Sequence, residues 1–124
     1  MKLSKTKNSK LTLLAVHAHP DDESISTGGI LAKYSANGFR TVLAYGTAGE
    51  AGDILNPDFV TPKPGLSIKE IRAIELAAAV KVLTVETVYF LGYRDSGMAG
   101  SPENNHPWAF ARADIREATT RLWK

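Results

Sequence analysis

The chain has 124 residues, 44% hydrophobic and 23% charged, with a formal net charge of +2. That composition fits one soluble globular domain and excludes a disordered chain. It has no cysteine, so disulfides and thiolate metal sites are excluded.

The positive excess comes from Lys2, Lys5, Lys7 and Lys10, in a segment 1–10 that reads as a basic, flexible tail. The remainder is slightly acidic and clusters no basic residues, so no nucleic-acid partner is expected. The longest apolar run near the start, Leu11–Val16, is too short for a signal-peptide core or a bilayer span. A cytoplasmic protein without a membrane partner is the expectation.

Leu11–Val16 reads as a buried strand. It runs into His17-Ala18-His19-Pro20-Asp21-Asp22-Glu23, at the strand-to-helix junction where open α/β sheets bind ligands. Pro20 stiffens this turn and keeps His19 out of the helical region. His19 and Asp22 can then converge as one nitrogen and one oxygen donor, half of a metal site. The plainer alternative is helix capping by one of the acids. A cap leaves three consecutive carboxylates beside a histidine unexplained, whereas a bound cation relieves their repulsion.

A first helix is expected over about Ser24–Asn37, with Gly38 at its C′ position. The Gly28-Gly29 pair inside it reads as close packing. A second strand, Arg40–Tyr45, opens into a Gly-, Pro- and Asn-rich loop to about Gly65, long enough to face a substrate. Glu50 stands on that rim. Ser67-Ile68-Lys69-Glu70 is a capping box opening a second helix to about Val82. A third strand, Thr87–Leu91, ends in Gly92-Tyr93-Arg94-Asp95-Ser96-Gly97-Met98. There Asp95 can pair with Arg94, orient a ligand histidine or bind substrate hydroxyls. Residues 99–108 read as a loop or lid, and a third helix is expected from Phe110 to Lys124.

The β-α-β-α-β-α pattern predicts a Rossmann-like parallel sheet with helices on both faces and strand order 3-2-1. The first strand then has a bare apolar edge, as in the N-terminal half of a larger domain. A nucleotide-binding domain is disfavoured, because an acidic turn stands where a glycine-rich phosphate loop is needed.

Ala18-His19-Pro20-Asp21-Asp22-Glu23 resembles the signature of the PIG-L/LmbE-like deacetylases. Gly49–Pro57, Glu70-Ile71-Arg72 and Leu91–Met98 resemble the branch of N-acetylglucosaminyl-inositol deacetylases and mycothiol conjugate amidases. The resemblance makes residues 11–124 the N-terminal part of a single such domain. It implies a zinc hydrolase (Fe²⁺ would tolerate the same ligands) that cleaves the acetamide of an amino-sugar small molecule. By position, His19 and Asp22 are implied as zinc ligands, Asp21 as general base, and Glu50, Arg72 and Asp95 as substrate-pocket residues. The family's third ligand is implied beyond residue 124, so weak zinc binding is expected. His106 is a poor candidate to replace it. The rival expectations are a mycothiol S-conjugate amidase and a non-catalytic domain that associates with itself or another chain through its sheet edge.

Overall fold

The computed structural model describes residues 11–124, so the expected tail at 1–10 lies outside the described residues. The elements are β1 (Thr12–His17), α1 (Gly28–Ala36), β2 (Arg40–Tyr45), α2 (Ile68–Leu83), β3 (Thr87–Phe90) and α3 (Ile115–Trp123). The three strands are parallel in the order β1-β2-β3, which is the expected 3-2-1 order. The fold is α/β.

β2 lies between the other two strands, and its residues from Thr41 to Tyr45 are buried. Strands of parallel sheets are apolar on both faces where helices cover both. One face carries the core, where Leu31 of α1 and Leu76 of α2 pack on Leu43, Tyr45 and Val85, flanked by Leu13, Ala15 and Val88. β1 alternates. Leu13 and Ala15 turn toward this core, while Leu14 and Val16 remain about half exposed. Leu14 shares an open apolar hollow with Val42, Ala44 and Tyr89 on the opposite sheet face, bordered by Leu122 of α3. Among the described residues β1 pairs with β2 alone, so its other edge is bare, as expected.

α2 begins with the predicted capping box. Ser67 Oγ accepts from the Glu70 amide, and Glu70 Oε2 accepts from the Ser67 amide at 2.8 Å. Its end carries no glycine; Thr84 takes the left-handed cap at φ +57°.

Two helices start later than the sequence suggests. The expected start at Ser24 is a wide π-helical turn over Glu23–Thr27, and α1 begins only at Gly28. Thr27 leaves helical geometry (φ −125°, ψ 1°) and its hydroxyl donates back to the Glu23 carbonyl at 3.2 Å. Such local bonds compete with the helix ladder. At the other end, Phe110–Arg112 form a 3₁₀ turn and Asp114 restarts the chain as α3. Its Oδ1 accepts the amides of Arg116 and Glu117, a stronger start signal than the apolar spacing. Among the described residues no helix is long and apolar enough to cross a membrane.

Candidate active site

Parallel pairing puts the C-terminal ends of all three strands on one rim, with His17, Tyr45 and Phe90 in register. The ladder continues past the strands. Gly46 and Thr47 amides donate to His17 and Ala18 carbonyls, and Leu91 and Tyr93 amides donate to Tyr45 and Gly46 carbonyls. Three loops distant in sequence are thereby held side by side.

The second and third loops are latched reciprocally. Asp95 Oδ2 accepts the Ala51 amide, and Glu50 Oε1 accepts the Asp95 amide, both at 3.1 Å. Asp95 Oδ1 also accepts the Gly97 amide and lies 3.3 Å from His19 Nε2. Asp95 is buried and committed on both oxygens. It faces His19 rather than the open rim.

His19 Nδ1 faces Asp22 Oδ2 at 3.5 Å, and the same oxygen accepts the His19 amide at 3.0 Å. Each ring nitrogen of His19 thus stands beside a carboxylate oxygen, Nε2 beside Asp95 and Nδ1 beside Asp22. Asp21 stands at φ +112°, outside the ordinary range of L-residues. Its carboxylate is exposed and 3.6 Å from Arg72, whose Nη1 donates to the Pro20 carbonyl at 3.1 Å.

Arg72 reaches the turn only because two residues of the second loop lack side chains. A Cβ on Gly49 would lie 2.3 Å, and one on Gly52 2.6 Å, from the guanidinium. Gly49 also adopts φ +68°. The two glycines form the channel through which α2 reaches the acidic turn.

Glu23 was legible in the sequence only as the third acid of a run. It is the most buried carboxylate of the group, at 1% exposure. Its oxygens accept from Ser24 Oγ (2.6 Å), the Tyr45 hydroxyl (2.7 Å) and the Asp21 amide (2.9 Å). Burial pushes its carboxyl up, yet the bonds from Ser24, Tyr45 and the backbone outweigh it and hold the group below its ordinary range. Burial and the Glu23 hydrogen bond push the Tyr45 phenol far upward.

A cavity of about 470 Å³ adjoins the turn at Pro20 and Glu50. Tyr93, His106 and Trp108 form its far wall, and Lys69 borders it. Glu50 Oε2 and the Tyr93 hydroxyl are buried there without a hydrogen-bond partner among the described residues. His106 therefore lines the cavity and accepts the Trp108 amide. His17 pairs with Thr27 Oγ1 at 2.9 Å. Among the described residues no three histidine, aspartate or glutamate side chains form a cluster able to hold a metal.

This constellation can be compared with known proteins. Residues 14–123 match the family described as GlcNAc-PI de-N-acetylase, PIG-L. The chain belongs to this family. It is 50% identical over 117 residues to a 1D-myo-inositol 2-acetamido-2-deoxy-alpha-D-glucopyranoside deacetylase of Acidothermus cellulolyticus, covering 90% of this chain and 40% of that protein. A protein of the same name from Streptomyces scabiei is 46% identical, with coverage of 89% and 36%. Among solved structures, the N,N'-diacetylchitobiose deacetylase of Pyrococcus horikoshii superposes with a TM-score of 0.57 and 29% identity, covering 77% of this chain and 34% of that one. The chain thus spans about two fifths of the length of the PIG-L relatives it matches.

Proposed function

We propose that this chain forms the metal-holding rim of a hydrolase that removes the acetyl group from an N-acetylglucosamine-containing small molecule, with a GlcNAc–inositol as the substrate the relatives' names favour. The observation that carries the reading is the His19–Asp22 pair backed by Asp95. Two ligands about 2.0–2.1 Å from a tetrahedral zinc stand roughly 3.3–3.4 Å apart, and His19 Nδ1 and Asp22 Oδ2 stand 3.5 Å apart. Zinc suits one imidazole and one carboxylate, and Fe²⁺ tolerates them. His19 and Asp22 are the residues that would hold the ion, and a further ligand must come from outside this pair. When bound, the ion polarises the amide carbonyl and makes water a better nucleophile.

The remaining chemistry belongs to the chain. Asp95 fixes the ring and tautomer of His19 so that Nδ1 faces outward, the usual role of a carboxylate behind a metal-facing imidazole. It therefore acts as a positioning residue rather than a substrate contact. Asp21 would take the proton of an attacking water and return it to the departing amine nitrogen. Arg72 opposes the Asp21 charge and ties the turn to α2. Glu50 Oε2 and Tyr93 OH offer one free acceptor and one hydroxyl to a polyol in the adjoining cavity, where Trp108 offers an aromatic wall.

The test is zinc titration of the chain against Asp22→Ala. Binding of one zinc, weak for a two-donor site and lost in the variant, is expected. Equal binding by both proteins would refute the assignment. Acetate release from a GlcNAc–inositol, compared with cleavage of a mycothiol S-conjugate, by this chain joined to the remainder of a relative's domain separates deacetylase from amidase. A second reading rests on the bare β1 edge, where Leu11, Leu14 and Val16 are exposed. It predicts concentration-dependent self-association, read by sedimentation.

A further inference from the structure

We infer that Glu23 is a positioning residue for Asp21: its buried carboxylate holds the Asp21 backbone in the positive-φ conformation that aims the Asp21 side chain along the rim. The inference rests on the proposed proton-transfer role of Asp21 and extends it to a residue outside the metal pair.

Asp21 at φ +112° occupies a region where a residue with a Cβ pays about 1–3 kcal/mol, so surrounding contacts must enforce it. Its carbonyl accepts the amides of Ser24 and Ile25, and its side chain meets Arg72 at 3.6 Å. These contacts act on the far side of its Cα or on the side chain. The contact at the atom that defines φ is the one from Asp21 N–H to Glu23 Oε2, at 2.9 Å. The chain therefore bends back on itself, with a side chain two residues later gripping an earlier amide.

Glu23 in turn is anchored to the sheet. The same Oε2 accepts the hydroxyl of Tyr45 at 2.7 Å. Tyr45 is fully buried in β2, inside the main core cluster and stacked on Phe90 of β3 at 5.4 Å between ring centroids. Ser24 occupies Oε1. A rigid path thus runs from the core through the phenol and the carboxylate to the Asp21 amide. A carboxylate suits the task because two donors converge on one oxygen. Glutamine can imitate it by turning its oxygen to that point and its NH₂ toward the Ser24 hydroxyl, which can accept.

The experiment is NMR of the isotopically labelled chain, reading the Asp21 amide–Hα coupling and the Asp21 Cβ shift, both of which report φ. Zinc affinity by titration is the second readout. Glu23→Ala is expected to move Asp21 out of positive φ while leaving zinc affinity nearly unchanged, because Glu23 bonds to neither His19 nor Asp22. Glu23→Gln is expected to keep Asp21 at positive φ. If Glu23→Ala does not fold, the Glu23→Met/Tyr45→Phe pair keeps the buried volume and removes the phenol with the carboxylate, so that no buried hydroxyl of Tyr45 is left unpaired. It still strips the acceptor from Asp21 N–H, and Asp21 is expected to relax. A folded Ala or Met/Phe variant with the Asp21 coupling and shift unchanged would overturn the inference. Zinc-free behaviour of the unaltered chain would count against the metal assignment, while the Asp21 conformation would still judge Glu23.

Discussion

A single methyl group at Gly49 probes how the rim is held together. Gly49 is left-handed at φ +68°, and a Cβ there would stand 2.3 Å from Arg72 Nη1 and 2.9 Å from its Cδ. Gly49→Ala therefore pays about 1–2 kcal/mol for the backbone conformation alone. It must also expel the guanidinium, which breaks the bond to the Pro20 carbonyl. A hydrogen bond from a charged donor is worth about 1.5–3 kcal/mol, and the lower end applies to a partly exposed arginine. The Asp21 contact adds little, because at 3.6 Å it joins an exposed carboxylate. The expected loss for Gly49→Ala is about 2–4 kcal/mol, and for Arg72→Ala about 1–2 kcal/mol. The double variant has no guanidinium left to expel. It should lie only about 1–2 kcal/mol below Arg72→Ala, so the two effects fail to add. Urea unfolding of the four proteins, with a shared m-value, measures this directly. Additivity within about 0.5 kcal/mol would refute the channel reading of Gly49 and Arg72.

Three other outcomes follow from the same geometry. Asp95→Ala, which frees His19 Nε2 and the Ala51 amide together, should weaken zinc binding about 10–100-fold, with Asp95→Asn in between. Equal affinities in titration would remove Asp95 from the metal arrangement. Tyr45 has its phenol pKa raised by burial and by Glu23. The folded chain keeps that proton while the unfolded chain begins to lose it near pH 10, so this stability is present below about pH 10 and lost above it. Tyr45→Phe should flatten the fall of stability on the alkaline side, and parallel pH–stability curves would contradict the assignment. Leu43→Ala, at a fully buried position of the middle strand, should cost about 2–5 kcal/mol in denaturant unfolding. A loss under about 1 kcal/mol would mean the core cluster is loosely packed.

Much of the fold was legible because its signals are local. The apolar runs of β1 and β2, the Ser67–Glu70 capping box and Gly38 each depend on a few neighbouring residues. Strand order followed from crossover handedness. The helix starts were less legible. Thr27 and Asp114 offer the backbone competing side-chain bonds, and these overrode the apolar spacing. In the site, His19 and Asp22 stood out by spacing, Glu50 and Asp95 by their places at the strand ends, and the roles of Asp21 and Arg72 by resemblance to the PIG-L family. Glu23 was read as one more acid, because a run of carboxylates carries no mark of which one is turned inward. Gly49 and Gly52 could have been singled out as a pair at fixed spacing, but the arginine that needs them lies in another element.

The sequence by itself determined the α/β alternation, the parallel order of the strands and the presence of an imidazole–carboxylate turn at the end of the first. These depend on periodicity and on residue type, which are written along the chain. The tertiary structure decided what each acid does. Asp95 turned to His19, Arg72 threaded between two glycines to Pro20 and Asp21, and Glu23 went under the phenol of Tyr45. Those assignments join residues 22 to 76 positions apart. They depend on which groups are buried and which donors meet them there, and burial exists only once the sheet has assembled.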